Sequence, residues 1–244
     1  MNRTNGIKLL VGYSKAIAAL LLLRLIVFFV PTGTYRVSGG ILSICSIYRI
    51  VKNLKNIGVE SFHLVGNSLG GWVSFEIAVL NPTAVKSITA LAPAGLWLTP
   101  FTSRYPGELA LRVMASGVEK LAPSLLNYTW AKKIGFETVS PRWRELSYEL
   151  CLDATNAMAG STGYFPAWDA LLGKRFDKQI TTSIPTTIIF GDSDHTLPFK
   201  TCQERSLAPV HAKWIVLPQT GHVPMWDSPN EVTSEIMSTT GVVK

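Results

Sequence analysis

No aspartate or glutamate occurs before Glu60, yet eight basic residues do: Arg3, Lys8, Lys15, Arg24, Arg36, Arg49, Lys52 and Lys55. The formal net charge of +7 therefore belongs to the N-terminal part, because the rest of the chain carries 15 basic and 16 acidic residues, a net of −1. No later cluster interleaves Lys and Arg with aromatics, which argues against nucleic acid as a partner. Cysteine is scarce. Cys45, Cys151 and Cys202 are far apart and in no C-x-x-C or Cys/His spacing, so neither a disulfide framework nor a zinc site is indicated. They read as buried, reduced thiols. Internal repeats and low-complexity segments are also missing.

What is present is enough apolar residue for one sizeable core: 47% of 244 residues are hydrophobic, as expected for a single α/β-sized domain. Residues 16 to 30 read AIAALLLLRLIVFFV. A bilayer span needs about 20 apolar residues and tolerates a central charge such as Arg24 poorly. Two other readings compete. One is a signal or anchor, with basic residues ahead of the apolar stretch and small residues at 38 to 40. The other is a buried strand over residues 25 to 30, stopped by Pro31-Thr32-Gly33.

Further on, Ile47, Ile50, Val51 and Leu54 recur at spacings of three and four, which predicts an amphipathic helix over residues 46 to 55. A short apolar run at 62 to 65 leads into Gly66-Asn67-Ser68-Leu69-Gly70-Gly71, and helical periodicity then continues to Asn81-Pro82. Strands are predicted at 85 to 91, 186 to 190 and 214 to 217. Strands alternating with helices indicate a parallel sheet, whose sites lie beyond the carboxyl ends of the strands. Between about 96 and 184 no strand is evident; residues 107 to 114 and 143 to 158 look helical. This segment carries Trp97, Tyr105, Tyr128, Trp130, Phe136, Tyr164, Phe165 and Trp168, which either line an apolar substrate pocket or pack beneath a cap.

A serine hydroxyl is a weak nucleophile near neutral pH and needs a base, which in turn needs a group to hold its tautomer. G-x-S-x-G presents Ser68 on a sharp turn between strand and helix, with Gly66 and Gly70 removing side chains that would collide. The helix opening at Leu69 aims its amide at the same place, a donor for a developing oxyanion. With Gly and Ser each at about 7%, chance alone would supply the motif in under about one such chain in ten.

The sequence resembles the α/β-hydrolase family, in the order Ser, Asp, His. Gly66 to Gly71 is similar to its nucleophile elbow, Phe190-Gly191-Asp192-Ser193-Asp194 with Pro198 to its acid loop, and Gly221-His222-Val223-Pro224 with Asp227 and Pro229 to its histidine loop. The resemblance covers roughly residues 42 to 240. It implies Ser68 as nucleophile, His222 as base and Asp194 as the acid, with Asp192 as the alternative on the same loop. His63 and His211 read as surface or core imidazoles. His195, beside the acid, is a candidate pocket residue, as are Asn67, Trp97, Phe165 and Trp168. Asp227 and Ser228 before Pro229 read as the N-cap of the last helix.

One element of the family pattern is missing. No His-Gly pair precedes Ser68, although such a loop supplies the family's second oxyanion donor, worth about 100- to 1000-fold in rate. Pro31-Thr32-Gly33-Thr34 is a candidate substitute; the other explanation is a first half shortened or altered, with an impaired site.

The expected fold is α/β, a mainly parallel sheet flanked by helices. Residues 42 to 95 and 185 to 244 form the core, 96 to 184 a helical cap, and 1 to 41 an atypical N-terminal segment. The expected activity is cleavage of a carboxylic ester or related acyl bond of a small or medium apolar substrate through an acyl-enzyme, with no metal or organic cofactor. A serine at the elbow argues against the family's dehalogenases and epoxide hydrolases, which use aspartate there. The alternative is a non-catalytic protein of this fold, associated with a membrane through residues 16 to 30; a cytoplasmic location is otherwise expected.

Overall fold

A computed structural model describes residues 39–104, 120–159, 161 and 164–241. The three readings of residues 16 to 30, the candidate loop at 31 to 34, Tyr105 and the helix expected at 107 to 114 lie outside the described residues. Helix α1 (Gly39–Asn56) begins earlier than its periodicity implied, and the apolar stripe behaves as expected: Ile47, Ile50, Val51 and Leu54 are all buried. Then follow β1 (Phe62–Asn67), α2 (Leu69–Leu80) and β2 (Val85–Leu91). The segment before the next strand holds α3 (Ala122–Leu125), α4 (Thr129–Phe136), α5 (Tyr148–Ala159) and α6 (Tyr164–Leu171), and no strand among the described residues. The chain closes with β3 (Thr186–Gly191), α7 (Phe199–Cys202), a 3-10 turn (Arg205–Leu207), β4 (Lys213–Leu217), α8 (Pro224–Asp227) and α9 (Pro229–Thr240).

All four strands are parallel, in the order β1-β2-β3-β4. Side chains alternate across a strand, so each one serves both faces. Leu64, Ile88, Ala90, Ile188 and Phe190 join the cluster that includes α1 and Phe75 and Ile77 of α2. Leu91, Ile189 and Leu217 face the other way, onto Val232 of α9. The sheet is covered on both sides, as a parallel sheet requires. No described helix is long and apolar enough to cross a membrane.

The expected helix at 143 to 158 starts later, at Tyr148, with the Ser147 hydroxyl accepting from the Leu150 amide at 3.2 Å as its N-cap. Residues 141 to 146 form turns instead, because Arg142 and its neighbours bond to a loop some 80 residues away. Phe136, Trp143, Leu146 and Cys151 pack into a small separate core that includes Trp226 at its margin.

Cys151 and Cys202 are free thiols with under 3% of their surface exposed, and burial pushes both thiols up from their ordinary value. In a Cys45→Ser variant, iodoacetamide at pH 8 is expected to alkylate neither thiol in native protein and both after denaturation in urea. Alkylation of the native protein at the rate of a free cysteine would contradict their burial.

Candidate active site

Ser68 follows β1 directly and takes φ 53°, ψ −118°. A non-glycine residue held there costs on the order of 1–3 kcal/mol, so the surroundings must over-determine it. They do. Its amide donates to the Leu91 carbonyl at 2.9 Å, and its carbonyl accepts from the amides of Ala94 at 2.9 Å and Gly71 at 3.0 Å. The turn is thus fastened to the end of β2 and to the first turn of α2. The Leu69 amide, at the first position of α2, lacks a helical carbonyl partner by construction.

The glycine requirement falls partly elsewhere than the motif suggested. A Cβ on Gly66 would lie 2.2 Å from the Gly70 carbonyl oxygen, and one on Gly71 would lie 2.7 Å from Pro93 Cβ, whereas one on Gly70 meets nothing within 4 Å. Gly66 and Gly71 are the positions where backbone approaches too closely for a side chain. Gly66→Ala is accordingly expected to abolish soluble folded protein or lower its melting temperature by many degrees. Gly70→Ala is expected to melt at or above wild type, since alanine is favoured in a helix over glycine by about 1 kcal/mol. Thermal melts of the two variants check this, and equal behaviour would contradict it.

Asp194 and His222 follow the carboxyl ends of β3 and β4. The Asp194 carboxylate is buried, with Oδ1 accepting from the amides of Thr196 at 2.9 Å and Leu197 at 2.7 Å and Oδ2 lying 3.0 Å from His222 Nδ1. With both Oδ1 contacts being N–H donors, Oδ2 is left to accept the imidazole proton, which places that proton on Nδ1 and a lone pair on Nε2. Asp192, the alternative acid, is exposed and accepts from the Ser193 hydroxyl and the Thr220 amide.

β4 lies three strand spacings from β1, about 14 Å at roughly 4.8 Å per step. The histidine loop crosses that gap. The Asn67 side-chain amide donates to the Leu91 carbonyl at 2.9 Å and to the His222 carbonyl at 3.0 Å, so the residue preceding Ser68 grips the backbone of His222 directly. Gly191 permits the crossing, because a Cβ there would lie 1.9 Å from the Thr220 carbonyl oxygen. The structure brings Asp194 and His222 into contact and sets His222 against the elbow. No hydrogen bond joins the Ser68 hydroxyl to His222 or to any other described residue. Such contacts are commonly long in unliganded enzymes and shorten with substrate.

Two of the candidate pocket residues, Asn67 and Trp97, are engaged elsewhere. Both N–H donors of the Asn67 side chain are committed to carbonyls, those of Leu91 and His222, which leaves only its Oδ1 to meet a ligand. Trp97 is 1% exposed, edge-on to Trp72 and Phe101, with Nε1 donating to the Lys174 carbonyl at 2.6 Å; it is core, not pocket wall. Phe165 and Trp168 on α6 remain half-buried, Phe165 beneath the Arg104 guanidinium and Trp168 beside Phe101. His195 is exposed. His63 sits at the far end of β1, with Nδ1 2.7 Å from the Ser87 hydroxyl, and His211 Nε2 lies 2.9 Å from the Ile184 carbonyl. Ser228 occupies the N-cap position of α9 but gives its hydroxyl to Thr220, while Asp227 is buried and bonds Ser140 and the Gly221 amide. Among the described residues no cluster of His, Cys, Asp or Glu is arranged to hold a metal.

Residues 31–236 match the model of the Alpha/beta hydrolase family. The chain belongs to this family. It is 28% identical over 207 residues to the epoxide hydrolase EphH of Mycobacterium tuberculosis (strain ATCC 25618 / H37Rv), an alignment spanning 78% of this chain and 90% of the relative. A shorter match, 37% over 91 residues, joins 36% of the chain to 25% of monoacylglycerol lipase abhd6-A of Xenopus laevis. Among solved structures, the meta-cleavage product hydrolase from Pseudomonas fluorescens IP01 superposes with a TM-score of 0.60 at 15% identity, over 87% of this chain and 75% of that one. That likeness is one of fold. This family member thus sets Asp194 and His222 in contact beyond the carboxyl ends of β3 and β4 of its four-stranded parallel sheet.

Proposed function

We propose that this α/β hydrolase is a serine hydrolase that cleaves a carboxylic ester or related acyl bond of a small or medium apolar substrate. Ser68 attacks the acyl carbon, His222 takes its proton through Nε2 and returns it to the leaving alkoxide, and Asp194 stabilises the imidazolium. The Leu69 amide donates to the oxyanion. Water then attacks the acyl-enzyme with the same histidine as base. The observation carrying this reading is the buried Asp194–His222 pair at 3.0 Å, roped to the elbow by Asn67.

The relatives' names include an epoxide hydrolase and a monoacylglycerol lipase. Serine at position 68 favours acyl chemistry over epoxide opening, and the half-buried aromatics Phe165 and Trp168 favour an apolar acyl or alkyl group beneath a helical cap. Purified protein is expected to hydrolyse p-nitrophenyl esters with a clear preference among chain lengths, and His222→Ala is expected to remove that activity. Turnover that survives His222→Ala, or hydrolysis of styrene oxide in preference to every ester, would overturn the reading. A non-catalytic protein of this fold is the second reading, favoured by the unbonded Ser68 hydroxyl and the missing His-Gly pair; a folded protein inert toward the ester series, toward styrene oxide and toward a fluorophosphonate would support it.

A further inference from the structure

Asp227 has no part in the reaction just described, yet it is a carboxylate only 1% exposed. An ionised group at that depth is costly unless each oxygen finds a donor. Both do. Oδ2 accepts from the Gly221 amide at 2.8 Å, the residue immediately before His222, and Oδ1 accepts from the Ser140 hydroxyl, 87 residues away in the chain. Its own carbonyl accepts from Arg142 Nη1 at 2.6 Å. The histidine loop is thereby closed on itself and docked onto the turn between α4 and α5.

The same turn holds His222 from a second direction. The His222 amide donates to the Val139 carbonyl at 2.9 Å. A Cβ on Gly221 would lie 2.4 Å from that carbonyl oxygen and 2.9 Å from Pro141 Cδ, so the two segments are in full van der Waals contact. Thr220 and Ser228, flanking the loop, share a hydroxyl bond of 2.7 Å. The backbone of His222 is therefore fixed by three groups: Asn67 from the elbow, Val139 from the inter-strand segment and, through Gly221, Asp227.

From this geometry we infer that Asp227 is a positioning residue for the His222 base, and that with Ser140 it couples the placement of the helical segment between β2 and β3 to the placement of the imidazole. The inference rests on the serine-hydrolase reading. It adds that the segment over the sheet does more than cover substrate: its turn at residues 139 to 142 is a wall of the base's own socket. The carboxylate suits this role because it accepts two donors from opposite sides. An alanine accepts neither and leaves the Gly221 amide buried without a partner.

The test uses the full chain and a fluorophosphonate probe, comparing wild type, Asp227→Ala, Asp227→Asn and Ser140→Ala. The labelling endpoint counts intact sites; the labelling rate reads how well the base is placed. Asp227→Ala is expected to reach the wild-type endpoint about 100-fold more slowly, the scale on which an ångström of misplacement lowers rates, with ester kcat falling in parallel and KM little changed. Asp227→Asn is expected to recover most of the rate, because its Oδ1 can accept from Gly221 while its amide donates to the Ser140 oxygen. A merely structural role would lower the endpoint and leave the rate of the remaining sites untouched, and that result would overturn the inference. Wild-type rate and kcat in Asp227→Ala would do the same. Should Asp227→Ala fail to fold, Ser140→Ala removes one donor and keeps the carboxylate: a labelling rate several-fold below wild type is expected, and an unchanged rate overturns the coupling. A wild-type protein that never labels would instead end the serine-hydrolase reading itself, and the positioning role with it.

Discussion

Ser68→Ala is expected to leave the protein folded and to reduce ester turnover about a million-fold, to the background of the assay. Folding survives because the strain at position 68 comes from the backbone and Cβ, which alanine shares with serine. Ala92, at the end of β2, already holds φ 41° in this same chain. The Ser68 hydroxyl bonds no described residue, so its loss breaks no contact that holds the turn, while the bonds from Ser68 to Leu91, Ala94 and Gly71 are all backbone. What disappears is the attacking oxygen. Thermal melting that stays within a few degrees of wild type, beside absent turnover, is the expected pair of results; residual activity well above background would assign the chemistry to another group.

Asp194→Asn is the more discriminating change, with an expected loss of about 10,000-fold in kcat and little effect on KM. The reason lies in the two amides that hold the carboxylate. Thr196 and Leu197 both donate to Oδ1, so an asparagine must turn its own oxygen toward them and its NH2 toward His222. The imidazole must then accept at Nδ1 and carry its proton on Nε2, the wrong tautomer to receive a proton from Ser68. Asp192→Asn is the control: that residue is exposed and its hydrogen bonds go to Ser193 and Thr220 rather than to His222, so its change is expected to alter kcat by less than about threefold, the factor that matches the roughly 0.5 kcal/mol scale of surface substitutions. Reversed effects of the two variants would reassign the acid.

Much of this arrangement is readable from the chain because its signals are local. Apolar spacing at Ile47, Ile50, Val51 and Leu54 marks a helix face, and all four side chains are buried. The strands at β2 and β3 show as short apolar runs closed by small or polar residues, within one residue of their observed ends. The preference for Asp194 over Asp192 comes instead from the family resemblance, whose pattern places the carboxylate three residues after the strand-ending glycine; in the folded chain Asp194 Oδ2 lies 3.0 Å from His222 Nδ1.

What escapes the sequence is bonding at long separation. Nothing near Asn67 announces that its amide will reach a carbonyl 155 residues away. Residues 143 to 147 carry helical periodicity, but Pro141, the Arg142 bond to Asp227 and the Ser147 cap delay the helix to Tyr148. Asp227 before Ser-Pro has the local form of a helix cap, and only the folded loop turns it inward to Gly221 and Ser140. Trp97 looks available among so many aromatics and is instead enclosed by Trp72 and Phe101. The motif points to Gly70 as its second glycine of close approach, whereas the clash falls at Gly71, against Pro93 of a turn that the local sequence does not reveal.

Activation of the Ser68 hydroxyl by the imidazole of His222 is the step on which the proposed chemistry depends. Peptide mapping by mass spectrometry after exposure to a fluorophosphonate tests it most directly. One adduct on the peptide bearing Ser68, absent from Ser68→Ala and formed far more slowly in His222→Ala, is the predicted result. A folded wild-type protein that carries no adduct, or one attached to a different residue, would contradict it.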